Sequence, residues 1–204
     1  LRALCDKHDM VLIFDEVQAG FGRTGTFWGF EHYGIVPDLI ACGKGISSGM
    51  PISAVIGRED VMNTYPPGAM TSTHSANPVC VACTIASLEV IDKEKLVENS
   101  ARLGNTLYEG CAKIAKKHPN ILGHVCGGRG LVAGILVVKP GTKTPDPALA
   151  LKINELCFRK GLLMFAPVGV GGECLKIAPP LCMTEEALKE GLDVLAEACA
   201  EAIM

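Results

Sequence analysis

The chain has 204 residues, 49% of them hydrophobic, enough apolar material for one large packed domain or two smaller ones. Its net charge is −3 and its 19 basic residues are scattered, so there is no concentrated positive footprint for nucleic acid or an anionic membrane. No apolar run reaches the roughly 18–20 residues of a membrane span, and no basic segment with a cleavage site opens the chain, so the expected setting is cytoplasmic.

The opening stretch "LRALCDKH" has no initiator methionine and sets Leu1, Leu4 and Cys5 at helical spacing, as in a piece of a longer protein. In "MVLIFDEV" the continuous apolar run Val11 to Phe14 predicts a strand buried on both faces of a parallel sheet, ending in Asp15 and Glu16. "PDLIACGK" repeats that design, with Leu39 to Cys42 leading to Lys44, and "PISAVIG" (51–57) is a third such strand. Ligands of open α/β sheets gather at the carboxyl ends of strands, where this chain delivers an acid and then a lysine.

After the polar, proline-rich loop "YPPGAMTSTHSANP" the pattern turns helical, with Val79, Ala82, Cys83, Ala86 and Val90 on one face. A second helix carries Leu96, Leu103, Leu107, Cys111 and Ile114 and ends near "KKHPN". Beyond a boundary near residue 95, segments 131–138, 162–167 and 174–180 read as strands, and "DPALALKINELCFRKG" and "TEEALKEGLDVLAEACAEAI" as helices. In the last helix Thr184 is the expected N-cap, Glu185 and Glu186 suit the positive end of the dipole, and Leu188, Leu192, Leu195 and Cys199 form the apolar stripe. The organisation expected is therefore an α/β part over 1–95 and a small α+β domain over 96–204.

Most of the ten cysteines, among them Cys42, Cys83, Cys111 and Cys199, lie inside apolar segments, where a free thiol behaves as a small hydrophobe. The pair Cys80 and Cys83 has no second pair at zinc-site spacing, so no metal centre is expected.

Lys44 stands between Gly43 and Gly45. A phosphate loop G-x-x-x-x-G-K-[ST] fails, because Asp38 occupies the first glycine position and Gly45 the hydroxyl position. G-x-G-x-x-G fails as well: Gly43, Gly45 and Gly49 are one residue too widely spaced, and a strand follows where a helix should start. Two readings stay open, a solvated lysine in a glycine-rich turn and a nucleophilic amine in a confined site. The carboxylate of Asp15 at an adjoining strand end favours the second, since a cofactor that uses a cationic pyridine ring as electron sink needs an acid on its ring nitrogen.

The stretch "LIFDEVQAGFGRTGTFWGFEHYGIVPDLIACGKGISSGMPISAVIGR" resembles the cofactor segment of class III pyridoxal-phosphate aminotransferases, the ω-aminotransferase group of fold type I. It carries the D-E-V-Q, G-F-G-R-T-G and K-G-x-x-x-G-x-P elements; "THSANPVC" is similar to the T-x-x-x-N-P loop, and "LKIAPPLCMTEE" to the late R-[IF]-x-P-P-L element. The resemblance implies the C-terminal part of a fold type I large domain (1–95) followed by the small C-terminal domain (96–204).

It implies transamination between an ω-amine or amino acid and a 2-oxo acid by ping-pong chemistry, with pyridoxal 5'-phosphate as cofactor. Lys44 would form the internal aldimine and shuttle the substrate proton, Asp15 would pair with the ring nitrogen, and Gln18 would meet the phenolic oxygen. Thr73 would reach the phosphate from the neighbouring subunit, which implies a homodimer; Glu16 and Arg23 would hold the loop. Lys176 stands where the family commonly has the arginine for the substrate carboxylate, and lysine, a flexible point charge, is no equivalent of that two-pronged grip. Relatives with lysine there include phospho-lyases, so the alternatives are a phospho-lyase or decarboxylating transaminase, or a non-catalytic module. The match covers only the C-terminal half of the family, so its glycine-serine phosphate loop, ring-stacking aromatic and upstream glutamate are not in this sequence.

Overall fold

The computed structural model describes residues 1–203 and divides into two units, Leu1–Glu98 and a second from Asn99 onward. The first unit contains α1 (Arg2–Lys7), β1 (Ile13–Asp15), β2 (Leu39–Cys42), β3 (Ala54–Gly57), α2 (Glu59–Met62) and α3 (Pro78–Lys93). β1 runs parallel to β2 with Ile13 opposite Leu39 and Asp15 opposite Ala41. β3 is antiparallel to β2, Leu39 facing Gly57 and Cys42 facing Ala54, which corrects the expectation of a third strand of the same design. The connection after β2 holds a single 3-10 turn, Lys44–Ile46, and no helix of the kind that usually carries a parallel return across a sheet.

The core of this unit gathers Phe21, Cys42, Ile46 and Ile91, with Trp28 and Leu88 packed against them. Phe21 and Phe27 meet the Trp28 ring edge-on, with centroids 5.0 and 5.1 Å away. The sheet is not buried on both faces as its apolar runs predict: Ile13 is 58% and Val55 54% exposed. α3 is capped by Asn77, whose Oδ1 accepts from Val79 N and Cys80 N, and it buries Cys80 and Ile91. Its expected apolar stripe lies largely in solvent, with Val79 60% exposed and Ala82, Ala86 and Val90 exposed as well. Burying a sheet face or a helical stripe takes a second layer, and the described residues supply one only on the Cys42–Ile91 side.

The second unit is built from α4 (Leu96–Lys117, begun in the first), β4 (Leu122–Cys126), β5 (Ala133–Val137), α5 (Pro147–Arg159), β6 (Cys174–Ile177) and α6 (Glu185–Ala202). Its sheet is antiparallel in the order β4-β5-β6, with Ile135 facing Val125 on one side and Leu175 on the other. Ala133, Ile135 and Val137 share a core with Leu103 and Leu107 of α4, Ile153 of α5 and Leu195 of α6. Both later helices start on side-chain caps: Asp146 Oδ1 accepts from Leu149 N, and Thr184 Oγ1 from Ala187 N. Burial pushes the thiols of Cys111 and Cys199 up to about 12 and that of Cys157 to about 11. All ten cysteines are unpaired.

Two strand assignments change. Segment 162–167 forms no strand; only Val168, just past it, exchanges two backbone hydrogen bonds with Cys174, at 2.9 and 2.8 Å. β4 has no clear strand signal in the sequence, because Gly123 and His124 interrupt its apolar pattern, and its register shifts between Leu122 and Val125.

α4 crosses the residue 130 loop at Gly104. A Cβ there would lie 2.6 Å from Gly130 N and 2.7 Å from Gly130 O, while four residues earlier Ser100 Oγ accepts from Leu131 N at 3.1 Å. Alanine suits a helix better than glycine by up to about 1 kcal/mol, so only that backbone contact explains the glycine. Gly104→Ala should lower stability by about 1–3 kcal/mol, as overpacking does. A denaturant midpoint that rises instead would show that the loop yields freely.

Candidate active site

Asp15 ends β1, and the chain leaves the strand through Glu16, whose N–H donates to Ala41 O on β2 at 2.8 Å. Glu16 is 1% exposed, and its two carboxylate oxygens accept from Gly29 N (2.8 Å) and Phe30 N (2.9 Å). One buried side chain thus closes the loop 17–28 back onto the strand end. A Cβ on Gly29 would meet Ala19 Cβ at 3.0 Å, so the approach depends on glycine. Asp15 itself is exposed, with Oδ1 accepting from Val17 N at 3.0 Å, and Gln18 is exposed in the same turn.

β2 ends at Cys42, and after Gly43 the backbone of Lys44 takes a left-handed conformation, φ +42°, at the head of a one-turn 3-10 segment, Lys44–Ile46. A non-glycine residue in that region costs of order 1 kcal/mol and persists where its surroundings hold it. The anchors here are Ile46, buried in the core with Cys42 and Ile91, and Ser47, whose Oγ donates to Met50 O at 2.6 Å. Gly45 lets the turn close on Phe21, since a Cβ would sit 3.0 Å from that residue's own Cβ. Lys44 is exposed. Parallel pairing of β1 and β2 sets their carboxyl ends side by side, so a carboxylate and an amine emerge at one edge of the sheet.

The opposite end of these strands is held by Asp38, which in the sequence stands out only as an acid where a phosphate loop needs its first glycine. Asp38 is buried; Oδ2 accepts from Leu12 N and Arg2 Nη1, both at 2.8 Å, and Oδ1 from Arg58 Nη1 at 2.9 Å. The Leu12 N–H and the two guanidinium groups hold its carboxyl well below the usual carboxylate range. It ties α1, β1, β2 and the end of β3 together. The available signal was an acid at the head of one apolar run with Arg58 at the foot of the next.

Thr73 is exposed in the loop leading to the Asn77 cap of α3, a loop turned by Ser75, which donates from N and Oγ to Ser72 O. In the second unit Lys176 lies on β6 opposite Gly134, with its Nζ 4.7 Å from the centroid of the Phe165 ring. The structure therefore brings Asp15, Gln18 and Lys44 to neighbouring strand ends and leaves Thr73 and Lys176 on other elements. Among the described residues no group of three or more His, Cys, Asp or Glu could hold a metal ion, and no helix is long and apolar enough to cross a membrane.

The family model for class III aminotransferases matches residues 1–199. The chain is 38% identical, over 98% of its length, to a 5-aminovalerate aminotransferase of Pseudomonas putida, and 36% identical, over 99%, to a 4-aminobutyrate aminotransferase of Escherichia coli. Of each relative it covers 47%. Among solved structures, an acetylornithine aminotransferase from Elizabethkingia anophelis superposes with a TM-score of 0.87 at 34% identity, over 98% of this chain and 48% of that one. A Bacillus anthracis aminotransferase does so at 0.88 and 32%, over 98% and 47%. The chain spans about half the length of the relatives it matches.

Proposed function

The chain belongs to the class III aminotransferase family, and from that premise we propose that it carries the lysine and acid of a pyridoxal-phosphate site that moves an amino group from an ω-amine or amino acid to a 2-oxo acid. The observation that carries this reading is Lys44 and Asp15 at the carboxyl ends of adjacent parallel strands, with the lysine held at φ +42°. An exposed amine and an exposed carboxylate at neighbouring strand ends fit the aldehyde and the ring nitrogen of that cofactor.

Pyridoxal phosphate, when bound, supplies a cationic ring that acidifies a neighbouring C–H bond. Asp15 would pair with the ring nitrogen, and Lys44 would hold the group and, as free amine, would carry the substrate Cα proton on Nζ. The Gln18 amide would meet the ring oxygen, and Thr73 of a second copy would donate to the phosphate, which would make the working unit a homodimer. Lys176 takes the substrate carboxylate. Relatives named for 5-aminovalerate, 4-aminobutyrate and acetylornithine support the ω-amino class of donor, and ten unpaired cysteines suit a reducing cytoplasm.

Borohydride reduction in the presence of pyridoxal phosphate, followed by peptide mass mapping, should place the label on Lys44. A label spread over surface lysines would overturn the assignment. Lys176 also favours a second reading, lyase chemistry on a phosphorylated amine, since an ammonium point charge suits a phosphate. In that case the enzyme would release inorganic phosphate from such an amine without needing a 2-oxo acid.

A further inference from the structure

The middle strand of the second sheet carries a glycine, Gly134, with a cysteine to either side of it. Cys126 lies directly opposite Gly134 on β4, and Lys176 directly opposite it on β6. Paired residues share a face of the sheet, and so do residues two apart along a strand. Cys126, Lys176 and Cys174 therefore stand together on the face turned away from the core that Ile135 and Leu175 enter. Cys174 is paired with Leu136, yet its sulfur reaches back over Gly134: a Cβ on that glycine would lie 2.9 Å from Cys174 Sγ. Opposed residues hold their Cβ atoms about 4.5–5.5 Å apart, so the Cys126 side chain reaches the same spot from the other strand. A glycine inside a strand weakens it and leaves room for close approach to the backbone. Here it leaves a hollow between a half-buried thiol, Cys174, and an exposed one, Cys126.

The two thiols are too far apart to oxidise to a disulfide. Their Cα atoms lie two strand spacings apart, at least about 9 Å, and a disulfide needs about 7 Å or less. An ion between the sulfurs closes the gap, since two metal–sulfur bonds of about 2.3 Å span roughly 4.6 Å.

We propose that Cys126 and Cys174 form a two-coordinate site for a soft monovalent cation of the cuprous type, seated over Gly134. Thiolates are the ligands that select such an ion. Zinc takes four ligands, and among the described residues no group of three or more His, Cys, Asp or Glu is assembled to supply them. On binding, each thiol gives its proton to water, two metal–sulfur bonds form, and no electron is transferred. Two thiolates around a monovalent ion leave one net negative charge, which the Lys176 ammonium on the same face offsets. Burial pushes the Cys174 thiol up, as do Cys126 and Glu173, while Lys176 pulls it down. The site stands apart from the cofactor reading, and its test needs no cofactor.

Anaerobic titration of the reduced chain against the purple cuprous complex of bicinchoninate should withdraw one equivalent of copper. Cys126→Ser, at an exposed position that leaves the fold intact, and Cys174→Ser should each weaken binding about tenfold or more. Cys83→Ser and Cys182→Ser, at the other two thiols that are not buried, should leave it unchanged. Gly134→Ala keeps both thiols and puts a methyl group in the hollow, so it should weaken cuprous binding about tenfold while the far-ultraviolet circular dichroism is retained.

Copper held equally well by both the Cys126 and Cys174 variants would be adventitious metal on surface thiols only, and would overturn the site. Full affinity in Gly134→Ala, or displacement of the cuprous ion by an equal concentration of zinc, would do the same. A Cys126–Cys174 disulfide raised by diamide in the folded chain would show that the sulfurs meet without an ion between them, and would overturn the geometry.

Discussion

Glu16→Ala should destabilise the first unit by about 3 kcal/mol or more, because it strands two buried backbone donors, Gly29 N and Phe30 N, each worth about 1–3 kcal/mol when left unpaired. The loss should be read by the fluorescence of Trp28, the single tryptophan, which stands beside those two residues. Glu16→Gln is the instructive companion. Its amide offers one acceptor and turns a donor toward the other N–H, so it should fall between wild type and alanine rather than rescue the loop. If alanine left the thermal midpoint of the Trp28 signal unchanged, the clasp would have no energetic role.

Replacing Asp38 should have the second large effect, and its signature is in pH. The carboxyl is held below the usual range by the Leu12 N–H and by Arg2 and Arg58, so its folded pKa is depressed relative to the unfolded chain. A depressed acid contributes stability that is fully present above the unfolded value, about 4, and is lost as pH falls from there toward the folded pKa. Wild type should therefore lose stability in acid. Asp38→Asn, which keeps the side-chain shape, should be less stable at neutral pH and show a shallower acid loss, whereas parallel profiles for the two proteins would rule out this linkage. Asp38→Ala should be worse at neutral pH, since the Leu12 N–H then loses its acceptor as well.

The two acids explain each other's place. Asp38 fastens the amino ends of β1 and β2, and Glu16 fastens the chain as it leaves their carboxyl ends, so Asp15 and Lys44 project from a sheet edge clamped at both ends. Preorganisation of this kind would serve the cofactor site proposed above. The family resemblance implies that Glu16 and Arg23 hold the loop; for Glu16 the hydrogen bonds to Gly29 and Phe30 give that role its geometry.

Much of this was legible in residue order. Apolar runs ending in charge marked β1 and β2, the Thr184 cap followed by Leu188, Leu195 and Cys199 marked α6, and the glycine spacing around Lys44 excluded a phosphate loop. These are local signals: periodicity, capping and turn chemistry act within a few residues, so the sequence by itself determined them. Class III membership came the same way, from motifs clustered in one stretch. Only the tertiary structure decided that β3 runs antiparallel, that β4 forms across an irregular register while 162–167 does not, and that the apolar stripe of α3 faces solvent. It also decided that Asp38 sits between two arginines 36 residues and 20 residues away, and that Lys176 rests against Phe165. Those outcomes depend on which distant groups compete for one surface or one hydrogen bond, and no local pattern records that competition.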